Sequence, residues 1–444
     1  MTRSRFVAVL LGTLVVVIAA TLARASEDDI DQERMLSEIL QDKRLQDAKQ
    51  RRDFSKRDST PEEQAEQEEK DRQNEQEGGG AGGRFAILPQ IGFSPEKGGN
   101  GGIKLTDRDF FGLTLDVSAL AAQHGQAKGA VKVFAPNLFG GKLILAGTGL
   151  FEMDPSKRFF GLGNNELPDD EELSRNRYQH QMVSLLAALR LSRRFTLALS
   201  GGYNLVDIGH GSQSSTDEKP ITGHEFPDMA GVRGGKTNPL AFSVIFDDRD
   251  EVTRPTRGWS VIAKAELVAP ALWNDFAYRR YIFKMSYLYP LLTRRQVLGV
   301  RLGGEYVDSD RRQVPFFELS SLGGGDDMRG FFPDRFLGRA KVILGGEYRL
   351  KLFDFNFFDI WNVKIDGVGF GDVGRVFMRE NDAAAEQGIT EQQLTALYKL
   401  VDKMRFSYGG GVRFALGEAT IARVDVGFSE EETGLVYLVF GHTF

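Results

Sequence analysis

Strict alternation of apolar and polar residues runs through most of the chain and constrains its fold more than any other feature. In residues 341–353, KVILGGEYRLKLF, valine, leucine and tyrosine occupy one parity, whereas Lys341, Glu347 and Arg349 occupy the other. The same scheme recurs in residues 259–267, 296–307 and 420–428. A period of two places successive side chains on opposite faces of a β-strand, so the sequence predicts an all-β fold.

Strands with one apolar and one charged face can build either a soluble β-sandwich or a membrane β-barrel. A sandwich usually has short strands whose outward faces meet water. Here many alternating segments run for about ten residues or more, which lets a tilted strand cross a bilayer. The apolar face also carries Tyr281, Phe283, Tyr287 and Tyr289, as the aromatic girdles of membrane barrels require. The pattern favours the membrane barrel.

The number of segments and the lengths of their links fit a closed barrel. Residues 84–444 contain about sixteen predicted strands, and an even number is usual in bacterial barrels. Because lipid cannot hydrogen-bond exposed backbone groups, the sheet must close on itself. Short links such as 416–418 alternate with long ones such as 208–235 and 308–338. Short turns are typical of the periplasmic rim, so the last strand is expected to end there.

The first 83 residues have a different character. Arg3 and Arg5 precede an almost wholly apolar stretch, and Ala23-Arg24-Ala25 fits a small-x-small cleavage site. Residues 1–25 are therefore predicted to be a secretory signal peptide, since the apolar run is short for an anchoring helix. Residues 26–83 are charged, rich in glutamine and nearly free of aromatics. This composition predicts a disordered or weakly helical periplasmic tail.

Composition excludes several classes of function. The chain has no cysteine, which excludes disulfides and thiolate metal sites, and its five histidines show no metal-ligand spacing. A net charge of −6 argues against nucleic acid as a partner. No serine, histidine or acidic pair stands in a catalytic motif, so a hydrolase at the barrel rim has no motif to support it. We expect no cofactor, no metal and no enzymatic activity.

Two glycine-rich stretches resemble ligand-binding loops in composition but lack the flanking residues or the helix that such loops require. Residues 323–332, GGGDDMRGFF, lie in the long link between the eleventh and twelfth predicted strands. They lack the Gly-Lys-Ser/Thr of a phosphate loop and the ligand spacing of a calcium loop. Residues 369–374, GFGDVG, match G-x-G-x-x-G, but strand alternation continues after them where a dinucleotide site would begin a helix. Neither stretch predicts a nucleotide site.

The same two stretches carry a family resemblance. The long link around Arg329, Gly330 and Phe331 resembles the sixth surface loop of the bacterial surface-antigen superfamily, the outer-membrane barrels related to BamA and TamA. In that family an R-G-F/Y tip folds back into the lumen, where its arginine meets an acidic residue in a strand carrying F-x-D-x-G. The strand motif matches here at Phe370, Asp372 and Gly374. Further similar stretches are residues 159–164, 247–259 and the C-terminal GHTF, so the resemblance spans 84–444.

Side-chain parity independently supports a pairing of Arg329 with Asp372. Asp372 shares its parity with Lys364 and Asp366, and Glu347 lies on the polar parity of its own strand, so both carboxylates should face the lumen. A guanidinium in a lumen needs carboxylate partners, and a bidentate pair gives both direction and strength. We therefore expect Arg329 to tether the loop inside the barrel, in preference to standing as an exposed loop arginine.

The resemblance also implies a function. Members of the family insert or translocate proteins, usually through POTRA modules before the barrel, and residues 26–83 are too few and too polar to form one. The first and last strands would form a weak seam, and Pro89 suits an edge strand because it donates no ladder hydrogen bond. Phe440, Gly441 and Phe444 resemble the C-terminal signal by which barrels are recognised for assembly.

The expected partners follow from this reading. They are outer-membrane lipids, the barrel-assembly machinery during the chain's own biogenesis, and unfolded outer-membrane proteins or a separate periplasmic protein. The alternative is a passive pore or structural barrel without assembly activity. The sequence names no cargo.

Overall fold

The alternating segments pair into one continuous antiparallel sheet. The computed structural model describes residues 85–94, 98–164, 174–210, 222–250, 254–293, 295–309, 314–357, 361–378, 404–416 and 420–440. The strands are β1 Phe85–Ser94, β2 Gly98–Phe110, β3 Leu113–Ala122, β4 Ala127–Leu138, β5 Leu143–Phe159, β6 Ser174–Arg190, β7 Phe195–His210, β8 Gly234–Lys236, β9 Leu240–Asp247, β10 Gly258–Val268, β11 Tyr278–Pro290, β12 Gln296–Asp308, β13 Ser320–Leu322, β14 Phe336–Gly338, β15 Ala340–Phe357, β16 Trp361–Phe377, β17 Arg405–Leu416, β18 Thr420–Ser429 and β19 Leu435–Phe440.

Closure of the sheet produces the predicted barrel. Neighbouring strands of the large sheet pair antiparallel around the barrel, and β1 pairs with both β2 and β19. β8 and β9 lie end to end against β7, so together they act as one barrel strand. The 17 strands of the sheet therefore form a barrel of 16, which confirms the predicted fold class. β13 and β14 form a separate small sheet between β12 and β15.

The two faces of the strands are divided as the parity predicts. In β15, Leu344 and Tyr348 are exposed on the outside, whereas Glu347 and Arg349 are buried on the inside. In β12, Leu298 and Val300 are likewise exposed and Arg301 is buried. An outer surface of exposed leucine, valine and aromatic side chains meets lipid without cost, since lipid tails are themselves apolar. The charged residues are thereby collected in the lumen.

The two ends of the barrel differ. At one end, here called the turn end, strands are joined by short links such as 111–112, 139–142 and 191–194. At the other, the loop end, the links after β5, β7 and β12 are long. The described residues include one short α-helix, α1 Thr222–Glu225, and two 3₁₀ turns, Pro270–Leu272 and Phe316–Glu318. None of them is long and apolar enough to cross a membrane.

Several sequence predictions lie outside the described residues. They are the signal peptide at 1–25 and the tail at 26–83 with its inferred lack of POTRA modules. These stay predictions.

Candidate functional site: a loop held inside the barrel

The link between β12 and β15 enters the lumen. Its described part, residues 314–339, is called the luminal loop. Side chains from β15, β16, β18 and β19 all contact Arg329 or Gly330 of this loop. The wall side chains that make these contacts are buried on the inner face of the sheet, so the loop lies inside the barrel. The link predicted to carry the tip, between the eleventh and twelfth barrel strands, is the one that does so.

A small apolar core holds the loop against the wall. Phe331 is fully buried and packs with Leu322, Met328 and Phe336 of the loop. Its ring meets that of Phe336 edge-on, with centroids 5.2 Å apart. The wall contributes Ile343 of β15 and Val376 of β16 to the same cluster. These two inward-facing apolar positions mark where the loop docks.

Arg329 lies at the centre of a buried ionic cluster. Its Nε donates to Oδ2 of Asp372 at 2.9 Å and its Nη2 to Oδ1 at 3.2 Å, a bidentate pair. Its Nη1 donates to Oε2 of Glu347 at 2.9 Å. The guanidinium also stacks over the ring of Phe370, 3.5 Å from the centroid. Two carboxylates and an aromatic face thus surround one planar cation, a geometry that suits arginine and not lysine.

The neighbouring charges alternate in sign. Arg301 also bonds Asp372, at 3.0 Å, while Arg349 and Arg413 bond the two oxygens of Glu347, at 2.6 and 3.1 Å. Burial alone would lower the pKa of Arg329, but the charges of Asp372 and Glu347 outweigh it and raise that pKa above its ordinary value. Arg329 therefore stays protonated although no part of it meets solvent.

Gly330 lets the backbone of the tip pass close to β18. Its φ is +99°, and an added Cβ would lie 2.8 Å from the backbone oxygen of Phe428 in β18. The Gly330 N–H donates to the hydroxyl of Tyr437 at 3.0 Å, and that hydroxyl donates to the carbonyl of Phe331 at 2.7 Å. The Ser429 hydroxyl donates to the Gly330 carbonyl. Because β18 and β19 supply these groups, the tip is also bonded to the last two strands of the barrel.

The two aspartates of the tip are also paired. Asp327 accepts from Lys341 Nζ at 2.6 Å, and Asp326 forms an ion pair with Arg423. Arg301 donates to the backbone carbonyls of both aspartates. Both aspartates of the tip are therefore neutralised by basic residues of the wall.

The remaining predicted residues fall at different places. Gly374 lies on the inner face of β16, where an added Cβ would meet the side chain of Leu322 at 2.9 Å. Pro89 lies in β1 opposite Ile103 of β2. Phe440 is the last residue of β19 and lies opposite Ala422. Gly441 and Phe444 lie outside the described residues.

Sequence reasoning missed a second ionic cluster, which is partly buried and lies nearer the loop end. Arg280 of β11 contacts three carboxylates: Glu318 of the luminal loop at 2.6 Å, Glu305 at 3.2 Å and Glu266 at 3.5 Å. Glu318 also accepts from the Thr237 hydroxyl at 2.9 Å. Glu266 and Glu305 occupy the polar parity of their strands, so the sequence predicts that both side chains face the lumen. Their shared cation, Arg280, lies directly opposite Glu266 on the next strand, whereas its bond to Glu318 depends on how the loop folds.

A third ionic contact, also missed, lies at the turn end. Arg254, in the link between β9 and β10, is buried and pairs with Asp366 of β16 through Nε at 2.8 Å and through Nη2. Pro255 and Thr256 are buried beside it, and Thr256 donates its hydroxyl to Asp250 at 2.7 Å. This link therefore folds inward from the mouth opposite the luminal loop. Arg254 lies in the stretch 247–259, which resembles the family, and that resemblance was the sequence signal that pointed to this link.

The junction of the first and last strands is sparsely paired. Among the described residues, one register pair, Phe93 with Leu438, joins β1 to β19. By contrast, β1 has ten register pairs with β2, and β18 has six with β19. Among the described residues, this junction therefore has fewer ladder pairs than either of its neighbouring junctions. Among the described side chains, no group of three or more acidic or histidine residues is arranged to hold a metal ion.

Comparison with known proteins gives a family and a fold. The Omp85 superfamily domain matches residues 111–444. Among solved structures, the chain is similar to BamA from Haemophilus ducreyi lacking POTRA domains 1–3, with a TM-score of 0.57 and 16% identity over 81% of this chain and 70% of that one. It is also similar to CdiB from Escherichia coli, with a TM-score of 0.55 and 13% identity over 81% of this chain and 63% of that one. No curated protein sequence matches significantly.

Proposed function

Because the chain belongs to the Omp85 superfamily, the family that its loop and strand motifs resembled, we propose that it inserts proteins into the outer membrane or passes them across it, without covalent chemistry. The family and the BamA-like fold indicate the outer membrane of a Gram-negative cell. Export by the signal peptide at residues 1–25 is part of the proposal. So is the division into a periplasmic tail at 26–83 and a barrel at 84–444.

The observation that carries the proposal is the sparse seam between β1 and β19. A single described register pair joins strands that elsewhere in this barrel share six or more. Parting them would expose two strand edges, and an exposed edge is a template on which another strand can pair. An unfolded barrel protein could therefore grow on these edges and leave sideways into the bilayer. In the proposal, Phe440, Gly441 and Phe444 act earlier, as the signal for this chain's own assembly.

The luminal loop is proposed to be the tether that keeps the barrel in shape while the seam opens. Arg329 connects the loop to β15 and β16 through Glu347 and Asp372, and Gly330 connects it to β18 and β19. The last strands are thus held from inside even though β19 has little holding it to β1. Loss of this tether would let the final strands move apart from the rest of the wall.

Locking the seam tests the proposal. Because the chain has no cysteine, Phe93→Cys with Leu438→Cys introduces the only thiols, at positions that face each other across the seam. We expect oxidation to stop the chain from supporting outer-membrane protein assembly in cells and reduction to restore it. The matched control is Leu105→Cys with Val117→Cys, which locks β2 to β3. Normal assembly with an oxidised seam would contradict the proposal.

The second candidate function is a passive pore or a structural barrel. Depleting the protein and measuring the abundance of every outer-membrane protein and lipid separates the two. An assembly factor should lower the amount of specific barrels, whereas a pore should leave the protein inventory unchanged. An unchanged inventory of proteins and envelope lipids would leave the passive barrel as the explanation.

A further inference from the structure

Several links at the turn end expose large apolar side chains at their tips. Phe111, between β2 and β3, is 89% exposed, and Phe139, between β4 and β5, is 80% exposed. Leu292, between β11 and β12, is 88% exposed, and Leu191 of the link between β6 and β7 is also exposed. These links follow β2, β4, β6 and β11, so all four lie at the same end of the barrel.

Two of these tips hold their aromatic residue in a strained conformation. Phe111 and Phe139 have φ values of 53° and 51°, in the left-handed region that bulky residues rarely adopt. Each is followed by a glycine, also at positive φ. Asparagine or glycine would satisfy the same turn without strain. A strained backbone that points a phenylalanine outward indicates that something outside the chain receives the ring.

The tips continue the lipid-facing surface of the barrel. Phe110, Leu145, Leu189 and Phe195 are exposed on the strands directly beside the turns. The rings of Phe110 and Phe111 meet edge-on, with centroids 4.9 Å apart, which joins one tip to this outer face. A side chain that extends an outer apolar face beyond the strand ends reaches the headgroup region, where amphipathic and aromatic groups of membrane proteins collect.

Basic residues accompany the apolar tips. Lys142 follows Phe139, Arg193 follows Leu191, and Arg295 follows Leu292, and all three are exposed. Arg194 is paired with Asp248 at 2.6 Å, which fixes one link to its neighbour along the rim. Long basic side chains beside apolar ones place their charge at the level of the lipid phosphates. Their positive charge favours an anionic lipid over a zwitterionic one.

We propose that the turn end of the barrel is a binding surface for anionic phospholipid. Phe111, Phe139 and Leu292 enter the acyl boundary, and Lys142, Arg193 and Arg295 pair with lipid phosphates. Because short links are typical of the periplasmic rim, the lipid concerned lies in the periplasmic leaflet. The inference depends on the barrel lying in a membrane and not on any role in protein assembly, so the two can fail separately.

The depth of the tips is the first test. A polarity-sensitive fluorophore on Phe139→Cys reports the surroundings of that tip alone, since the chain has no other thiol. In vesicles of equal parts phosphatidylcholine and phosphatidylglycerol, we expect apolar emission from position 139. The control, Arg233→Cys, is exposed at the loop end and should report water. Water-like emission from position 139 in these vesicles would overturn the proposal. So would a shift that appears only when a periplasmic protein is added.

Lipid selectivity is the second test. The triple variant Lys142→Gln, Arg193→Gln, Arg295→Gln removes the charges and keeps the apolar tips. We expect its preference for phosphatidylglycerol over phosphatidylcholine, measured by competition with lipids retained after detergent extraction, to fall by about fivefold or more at low salt. The control triple, Arg177→Gln, Arg233→Gln, Arg279→Gln, lies toward the loop end and should retain the preference. Equal behaviour of the two triples, both checked for unchanged barrel folding by gel mobility, would refute the assignment.

Discussion

Arg329 is the residue on which most of the luminal contacts converge. A fully buried guanidinium is costly unless its donors are satisfied by carboxylates, and here Asp372 and Glu347 accept from three of its nitrogens. Those carboxylates keep other cations when Arg329 is lost, because Arg301 bonds Asp372, and Arg349 and Arg413 bond Glu347. The loss of folding free energy on removing Arg329 is therefore reduced, because neighbouring arginines still neutralise both carboxylates.

Replacing Arg329 should destabilise the barrel substantially. We expect Arg329→Ala to lower the free energy of unfolding by about 3 kcal/mol, the lower end of the range for breaking a buried ion pair. Arg329→Lys should recover only part of this, because an ammonium cannot reproduce the bidentate bond to Asp372. A urea titration read out by gel mobility measures the free energy of unfolding of both variants.

A matched control comes from an exposed pair. Arg177 and Asp207 are 2.7 Å apart but about half exposed, so Arg177→Ala should change stability by no more than about 0.5 kcal/mol. Equal effects at Arg177 and Arg329 would contradict the central role of Arg329.

Gly330 combines positive φ with close contact, and a second glycine separates the two effects. Gly324 also has positive φ, +90°, but an added Cβ would meet only ordinary contacts at 3.4 Å or more. Gly324→Ala should therefore cost about 1–2 kcal/mol from backbone strain. Gly330→Ala should cost clearly more, because its Cβ would also press on the backbone of Phe428 at 2.8 Å. Stability measurements that rank the two variants the other way would refute this reading.

At the scale of elements, two segments enter the lumen from opposite ends. The luminal loop comes from the loop end and is held by Arg329, whereas residues 254–256 come from the turn end and are held by the bond from Arg254 to Asp366. The anchors lie on the same strand, since Asp366 and Asp372 both face inward from β16. β16 is thus the strand to which both inward segments are fastened.

The turn-end contact should show strong pairwise coupling. In a double-mutant cycle of Arg254→Ala and Asp366→Ala, we expect an interaction energy of about 2 kcal/mol, because both side chains are buried and the bond is bidentate. Asp354 is the comparison, since it lies 3.8 Å from Arg254 but is 56% exposed. Its coupling to Arg254 should be within about 0.5 kcal/mol of zero. Similar interaction energies with both aspartates would show that burial does not set the strength of these ion pairs.

For the molecule as a whole, the lumen is occupied by protein. Three buried clusters contain Phe316, Phe331 and Val314 of the luminal loop, which pack there against different parts of the wall. Arg280 and Glu318 add a partly buried ion pair between loop and wall. A barrel whose interior is filled by its own loop should not act as a wide water-filled channel.

Conductance measurements test whether the luminal loop blocks the barrel. In planar bilayers we expect the wild-type chain to remain closed or to open briefly, and Arg329→Ala to open more often and more widely because the tip is no longer fastened to β15 and β16. Arg177→Ala, which removes an exposed pair, should behave as wild type. Large steady channels in the wild-type chain would contradict the filled lumen.

The sequence alone determined the parts of the protein that depend on local repetition. A period of two fixed which side chains of β12 and β15 face lipid and which face the lumen, and about sixteen such segments predicted the barrel that the structure closes. The parity of Asp372 and Glu347 also set their direction, because every residue of a strand points to one face or the other. These properties follow from backbone geometry and need no knowledge of distant contacts.

Only the tertiary structure decided which inward side chains meet. Arg280 pairs with Glu318 of the luminal loop, and Arg254 reaches Asp366 across the mouth, because irregular segments bring together residues that are far apart in the chain. The low pairing of β1 with β19 is likewise a property of closure, since it depends on where the first and last strands come to lie. Periodicity assigns each strand residue to one face of the sheet. A contact between distant residues depends on the conformation of the loops. The loops of this chain carry no sequence repeat from which their conformation could be predicted.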